Sequence, residues 1–118
     1  MAPFARLASE DFCYLTTVGR RTGARHTIEI WFARESGTLY LLSGGGEAAD
    51  WVRNLRKTSA VQVRIGSRTV AARAREVIAP DEDALARRLL DEKYMGWWKT
   101  GKRLSSWARN ALPVAIDL

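Results

Sequence analysis

The chain is poor in the residues that build self-sufficient catalytic sites. Among 118 residues there is one cysteine, Cys13, and one histidine, His26. A single cysteine excludes an intrachain disulfide and any cysteine-based metal cluster. One cysteine with one histidine cannot close a zinc site, so no metal is expected. A Ser/His or Cys/His triad has no second nucleophile–base pair to draw on, and no pair of catalytic carboxylates stands out. Long hydrophobic runs are also missing. No window of ~18 apolar residues occurs, so no transmembrane segment is expected. The first residues, Met-Ala-Pro-Phe-Ala-Arg-Leu-Ala-Ser-Glu-Asp, break into charge too early for a signal peptide, and a cytoplasmic location is the simplest expectation. Repeats, low-complexity tracts and linkers are absent too. An enzyme with this inventory must take its reactivity from an organic cofactor.

What is present is a globular composition with excess positive charge. Apolar residues make up 47%, and the formal net charge is +6. The length suits one domain, 1–118, which can bury roughly 65% of its unfolded surface. The charge favours an anionic partner: nucleic acid, an acidic membrane surface, or a phosphorylated or polycarboxylate ligand. Cys13, inside an apolar run, reads as a small core residue.

Periodicity divides the chain into short elements. Phe12–Val18 is a buried strand. Thr27–Ala33 alternates, with Ile28, Ile30 and Phe32 on one face and Thr27, Glu29 and Trp31 on the other. A turn at Glu35-Ser36-Gly37 leads to a strand at Thr38–Leu42, and these three strands are expected to form an antiparallel meander. Apolar positions 48, 51, 52 and 55 mark a helix. Val61, Val63 and Ile65 alternate up to a Gly66-Ser67 hairpin, and the return strand reaches about Ile78. Pro80 opens a second helix with acids in its first turn and a stripe of Leu85, Ala86, Leu89 and Leu90. Residues 95–102 read as irregular, Arg103–Asn110 as a short helix, and Leu112–Leu118 as a final strand. The expected fold is mainly β (α+β), with about six antiparallel strands and two to three short helices, closing as a barrel on itself or on a partner.

Five features could carry chemistry. The loop from Gly19 to His26 places Arg20, Arg21, Arg25 and His26 around Thr22 and Gly23. Guanidinium forks bind phosphate and carboxylate oxygens at two points, so this loop reads as an anion clamp, with a solvated basic turn as the plain alternative. Ser43, Gly44 and Gly45 precede a helix N-terminus, where backbone N–H groups can meet an anion or a ring carbonyl; a flexible turn is equally consistent. Glu29 and Trp31 face away from the expected core, which favours a pocket or subunit contact for the tryptophan. Among five tryptophans, Trp51 and Trp107 fit helix stripes, whereas Trp97 and Trp98 sit side by side in the irregular segment and could cover a planar substrate. Arg53 to Arg75 holds seven basic residues and no acid. That span suits a solvated face, a cofactor's acidic tail or nucleic acid.

The run Leu-Thr-Thr-Val-Gly-Arg-Arg-Thr-Gly resembles the strand-and-loop signature of the deazaflavin-dependent nitroreductase family, split β-barrel flavin/deazaflavin oxidoreductases. The later order matches too: a serine-led small-residue loop, Trp51 with Asn54-Leu55 on a helix, Val61-Gln62-Val63, a basic hairpin and a terminal Leu-Pro-Val strand. The resemblance covers residues 12–78, and 104–118 more loosely. It implies a split β-barrel that binds coenzyme F-420 and passes hydride to a small-molecule acceptor such as a quinone, nitro compound or activated alkene, in a homodimer with no nucleic-acid partner. It further implies that Arg20 and Arg21, with Thr22, Gly23, Arg25 and His26 around them, meet the phosphate and acidic tail. Glu29, Trp31, Ser43, Gly44, Gly45, Trp51 and Asn54 then fall in the cofactor site. Outside the resemblance, Trp97 and Trp98 are expected near substrate and Tyr94 is the candidate proton donor. The chain departs from the family where a lysine often follows the loop serine, here Gly44, and in lacking clear equivalents of C-terminal tyrosines near Leu104 and Ser105. Two alternatives stay open: the same barrel with FMN, or a non-catalytic basic cofactor- or nucleic-acid-binding module.

Overall fold

The computed structural model describes residues 10–96 and 103–118. Its elements run β1 (Cys13–Val18), β2 (Arg25–Ile30), β3 (Ala33–Glu35), β4 (Thr38–Ser43), α1 (Asp50–Lys57), β5 (Ala60–Ile65), β6 (Arg68–Glu76), α2 (Pro80–Tyr94), α3 (Ser106–Asn110) and β7 (Leu112–Asp117). The seven strands form one antiparallel sheet in the order β2-β1-β5-β6-β7-β4-β3. The mainly antiparallel α+β architecture expected from the sequence is the one observed.

The sheet curls because of a single short connection. β2 and β3 lie at opposite ends of the hydrogen-bonded order, yet only Trp31 and Phe32 separate them in the chain. Three Cα steps reach at most about 10 Å. The two sheet edges are therefore drawn together, and the sheet becomes a split barrel. This geometry corrects two expectations. The strand read as Thr27–Ala33 begins earlier, at Arg25, and stops at Ile30, with a separate β3 after it. The three-strand meander does not form, because β4 pairs with β3 and β7 rather than with β2. The physical reason lies at Phe32, whose N–H donates to the Tyr94 hydroxyl (3.0 Å) and whose carbonyl accepts from Lys93 Nζ (2.9 Å). Those groups replace the ladder partners that would have continued β2.

Alternation along the strands fills two apolar layers. Leu15, Phe32, Leu39, Leu41, Val63, Ile65, Val114 and Ile116 pack in the barrel interior. Tyr40, Leu42, Ala86, Leu90, Ala108 and Ala115 form a second layer under α2 and α3. β4 and β7 are thus buried on both faces, which explains their continuous apolar runs. Cys13 is buried in the interior layer, and burial pushes its thiol up to about 12, so it behaves as an inert core residue. The 43–49 segment corrects another expectation. The helix starts at Asp50 rather than Ala48, because Gly46 (φ 60°) and a 3.0 Å hydrogen bond from the Ser43 hydroxyl to the Gly46 carbonyl hold a tight turn first. Ala48 is left exposed.

Acids from outside the basic 53–75 span pair with two of its seven cations, Arg56 and Arg75. Arg56 pairs with Glu47 and Glu76. Arg75 forks onto Glu82 (2.6 and 2.8 Å) and reaches Asp117 (2.8 Å), while Tyr40 donates to Glu82 (2.7 Å). This cluster ties β4, β6, β7 and α2 together. The Arg75 and Tyr40 hydrogen bonds hold the Glu82 carboxyl down at about 2, from an ordinary value of 4.5. A depressed folded-state value stabilises the fold above the ordinary value, and that contribution disappears as pH falls towards 2. Urea midpoints of the wild type should therefore drop between pH 5 and 2.5. Glu82→Gln should begin less stable at pH 6 and decline more shallowly; parallel declines would show that the cluster does not govern acid stability.

Candidate active site

The basic loop is built by local hydrogen bonding. Gly19 N–H donates to Ala24 O (2.7 Å), Gly23 N–H to Gly19 O (2.9 Å) and Ala24 N–H to Thr22 Oγ1 (3.2 Å). Gly23 takes φ 77°, a conformation glycine adopts freely. At Gly19 a Cβ would fall 2.8 Å from His26 Nε2 and 2.9 Å from the Ala24 carbonyl, so the position has no room for a side chain. This tight closure starts the β1–β2 ladder at Val18 opposite Arg25. Arg25 and His26 therefore belong to the strand rather than to the loop.

Asn54 on α1 pins the loop to the barrel. Its side chain is buried, donates to Thr17 Oγ1 (3.2 Å), and accepts from both the backbone N–H (3.2 Å) and Nη1 (3.0 Å) of Arg20. Arg20 Nη2 reaches Asp50 (3.1 Å), and Lys57 Nζ donates to the Arg20 carbonyl (2.8 Å). Thr17 occupies an inward position of β1, where an unpartnered hydroxyl would be costly. Arg20 is thus a structural anchor as much as a binding group. The side chains of Arg21, Arg25 and His26 are exposed and have no hydrogen-bond or ion-pair partner among the described residues.

Two clefts open along β2. The first, about 490 Å³, is lined by Gly19, Arg20, Arg21, His26, Ile28, Trp51 and Asn54 among others. The second, about 250 Å³, is lined by Glu29, Ile30, Trp31, Leu42 and Trp107. Of the residues singled out from sequence, Arg20, Arg21, Thr22, His26, Trp51 and Asn54 converge on the first cleft, while Glu29 and Trp31 line the second. Ser43, Gly44, Gly45, Gly23 and Arg25 line neither. Trp97 and Trp98 lie outside the described residues. Trp51 and Trp107, which the helix stripes suggest as core positions, pack half-buried against the two core layers and also line cleft walls.

Tyr94 stands behind the second cleft. Its ring stacks on Trp31 (centroids 4.3 Å apart, planes 3° apart), and Trp107 meets Trp31 edge-on at 5.4 Å. Its hydroxyl accepts from Phe32 N–H and shares its proton between the carbonyls of Asp11 (2.6 Å) and Phe32 (2.9 Å). Burial pushes that hydroxyl up to about 12. Sequence reasoning missed Thr17, Asp50, Leu42 and the wall role of Trp107. Asp50 and Asn54 could have been paired by their i,i+4 spacing, and Thr17 by its inward-facing polar position.

The model of the F-420H(2)-dependent quinone reductase family matches residues 4–118. The chain belongs to that family. No curated protein sequence matches it. Among solved structures, an F-420-H2-dependent reductase superposes with a TM-score of 0.69 at 20% identity, over 92% of this chain and 95% of that one. A protein described as a domain-swapped dimer gives 0.69 at 22% identity, over 92% and 81%. A putative 5-nitroimidazole antibiotic resistance protein from Bacteroides thetaiotaomicron gives 0.71 at 14% identity, over 95% and 75%. These likenesses show a shared fold. As a member of the F-420H(2)-dependent family the chain is an oxidoreductase with coenzyme F-420 as cofactor. The first cleft fits that group chemically, since Trp51 and Ile28 give it apolar lining and the unpaired Arg21 guanidinium gives it a cation for an anionic tail.

Asn54→Ala should leave the Thr17 hydroxyl and the Arg20 N–H without partners, at a cost of about 2–3 kcal/mol. Calorimetry should show a Tm lower by roughly 10 °C. A Tm within error of wild type would mean that the loop is held elsewhere.

Proposed function

We propose that this reductase binds coenzyme F-420 in the first cleft and reduces a flat, apolar acceptor of the quinone class in the second, acting as a single-domain, cytoplasmic homodimer. The observation that carries the reading is β2 itself. One strand lends Thr27 and Ile28 to a cationic cleft and Glu29 and Ile30 to an aromatic one, so the two ligands would lie against neighbouring residues. When bound, the reduced deazaflavin supplies a hydride, and a quinone completes its reduction by taking up a proton.

The chain's own residues bind, orient and exclude water. Arg21 and His26, with Arg25 beside them, would hold the phosphate and carboxylate tail through charged hydrogen bonds. Arg20 would keep the loop in register through Asn54 and Asp50. Trp51 and Ile28 would give the ring system an apolar wall. Trp31, Trp107 and Leu42 would shield the acceptor, which strengthens polar contacts nearby. Nitro compounds and activated alkenes are further acceptors of compatible shape. Support for a dimer comes from the open edge of β2 and from the neighbour described as a domain-swapped dimer.

Tryptophan quenching should show tight binding of coenzyme F-420 and much weaker binding of FMN and single-stranded DNA. Reduced coenzyme should be oxidised on adding menadione. Binding of FMN alone would sink the reading. Arg21→Ala should weaken the coenzyme by about tenfold, at about 1.5 kcal/mol per charged hydrogen bond, and leave the Tm unchanged. Arg20→Ala should lower both affinity and Tm, because its partners lie within the protein.

A further inference from the structure

We propose that Tyr94 is a positioning residue: it sets the shape of the acceptor cleft by holding Trp31 from behind, and it does not donate a proton to substrate. The inference rests on reading the second cleft as the acceptor site. Trp31 needs a support that the sheet does not supply. It lies in the two-residue link after β2 ends and before β3 begins, where no ladder continues. It is 41% exposed, so the core does not enclose it. What orders it is a ring cluster. Tyr94 stacks flat against one face, and Trp107 packs edge-on against the other two rings at 5.4 and 6.4 Å.

The tyrosine acts at two levels. Its ring backs the indole, and its hydroxyl bridges the Phe32 N–H, the Phe32 carbonyl and the Asp11 carbonyl, fixing the backbone next to Trp31. Trp31 and Trp107 line the cleft, whereas Tyr94 does not. A hydroxyl committed to backbone groups and set behind the wall has no path to a bound acceptor. Lys93, the preceding residue, adds to the same seam by donating to the Phe32 carbonyl and lying 3.8 Å from the centre of the Phe32 ring.

The test compares the full chain with Tyr94→Phe and Tyr94→Leu, with menadione as acceptor. The loss of one aromatic pair should raise the Leu variant's KM for menadione about tenfold, with kcat and coenzyme affinity within about twofold. Tyr94→Phe, which keeps the stack but leaves the Phe32 N–H without its partner, should lower the Tm yet restore KM to within about threefold with an unchanged pH profile. A Phe variant whose kcat falls tenfold or more, or whose pH profile loses a limb, would overturn the proposal in favour of proton donation. That variant decides the matter even if Tyr94→Leu fails to fold. Menadione binding to the coenzyme-free protein, read by tryptophan quenching, supplies a second readout. It should weaken about tenfold in Tyr94→Leu and stay near wild type in Tyr94→Phe, and equal binding in a folded Leu variant would overturn the proposal. If the wild type turns over no acceptor but binds menadione with this pattern, the proposed reaction fails and the positioning role stands.

Discussion

Phe32 is the joint on which the barrel closes. Its side chain is fully buried in the interior layer, while its N–H and carbonyl are met by Tyr94 and Lys93 rather than by a neighbouring strand. A buried backbone group without a partner costs about as much as a lost hydrogen bond, so these two contacts decide whether the chain can leave β2 and reappear at the far edge of the sheet as β3. The curl of the sheet, the separation of an interior layer from an outer layer, and the position of Trp31 at a cleft mouth all follow. The final turn of α2 thereby shapes both fold and site.

A second organising contact joins α1 to the basic loop. Asn54 satisfies an inward hydroxyl on β1 and the first arginine of the loop at once, and Asp50 and Lys57 on the same helix grip that arginine from either side. The loop's positive charge is thereby divided between two tasks. Arg20 is spent on architecture, with solvent-exposed Asp50 contributing only about 0–1 kcal/mol as an ion-pair partner. Arg21, Arg25 and His26 remain exposed to solvent. The cationic cleft is a by-product of anchoring one arginine so that its neighbours cannot collapse onto the protein.

Much of this was legible in the linear chain. Alternation marked two of the strands, an apolar run and turn signals marked four more, apolar spacing marked both longer helices, and the Gly-Arg-Arg-Thr-Gly loop marked the cationic cleft. The failures are local and share a cause. The Thr27–Ala33 alternation runs through Trp31 and Phe32 without interruption, so periodicity had no means of showing a break imposed by Tyr94, 62 positions away from Phe32. The 53–75 span looked uniformly basic because the acids that pair with Arg56 and Arg75 come from residues 47, 76, 82 and 117.

The sequence by itself determined most of the element types, the need for a borrowed cofactor, and the position of the basic loop between the first two strands. These depend on composition and on periods of two and 3.6 residues, which are local properties of a chain. Only the tertiary structure decided which strands are edges, which arginine of the loop is tied to α1, and that the Tyr94 ring stacks on Trp31. Those outcomes depend on which distant groups satisfy a given hydrogen bond, and spacing along the chain carries no record of that choice.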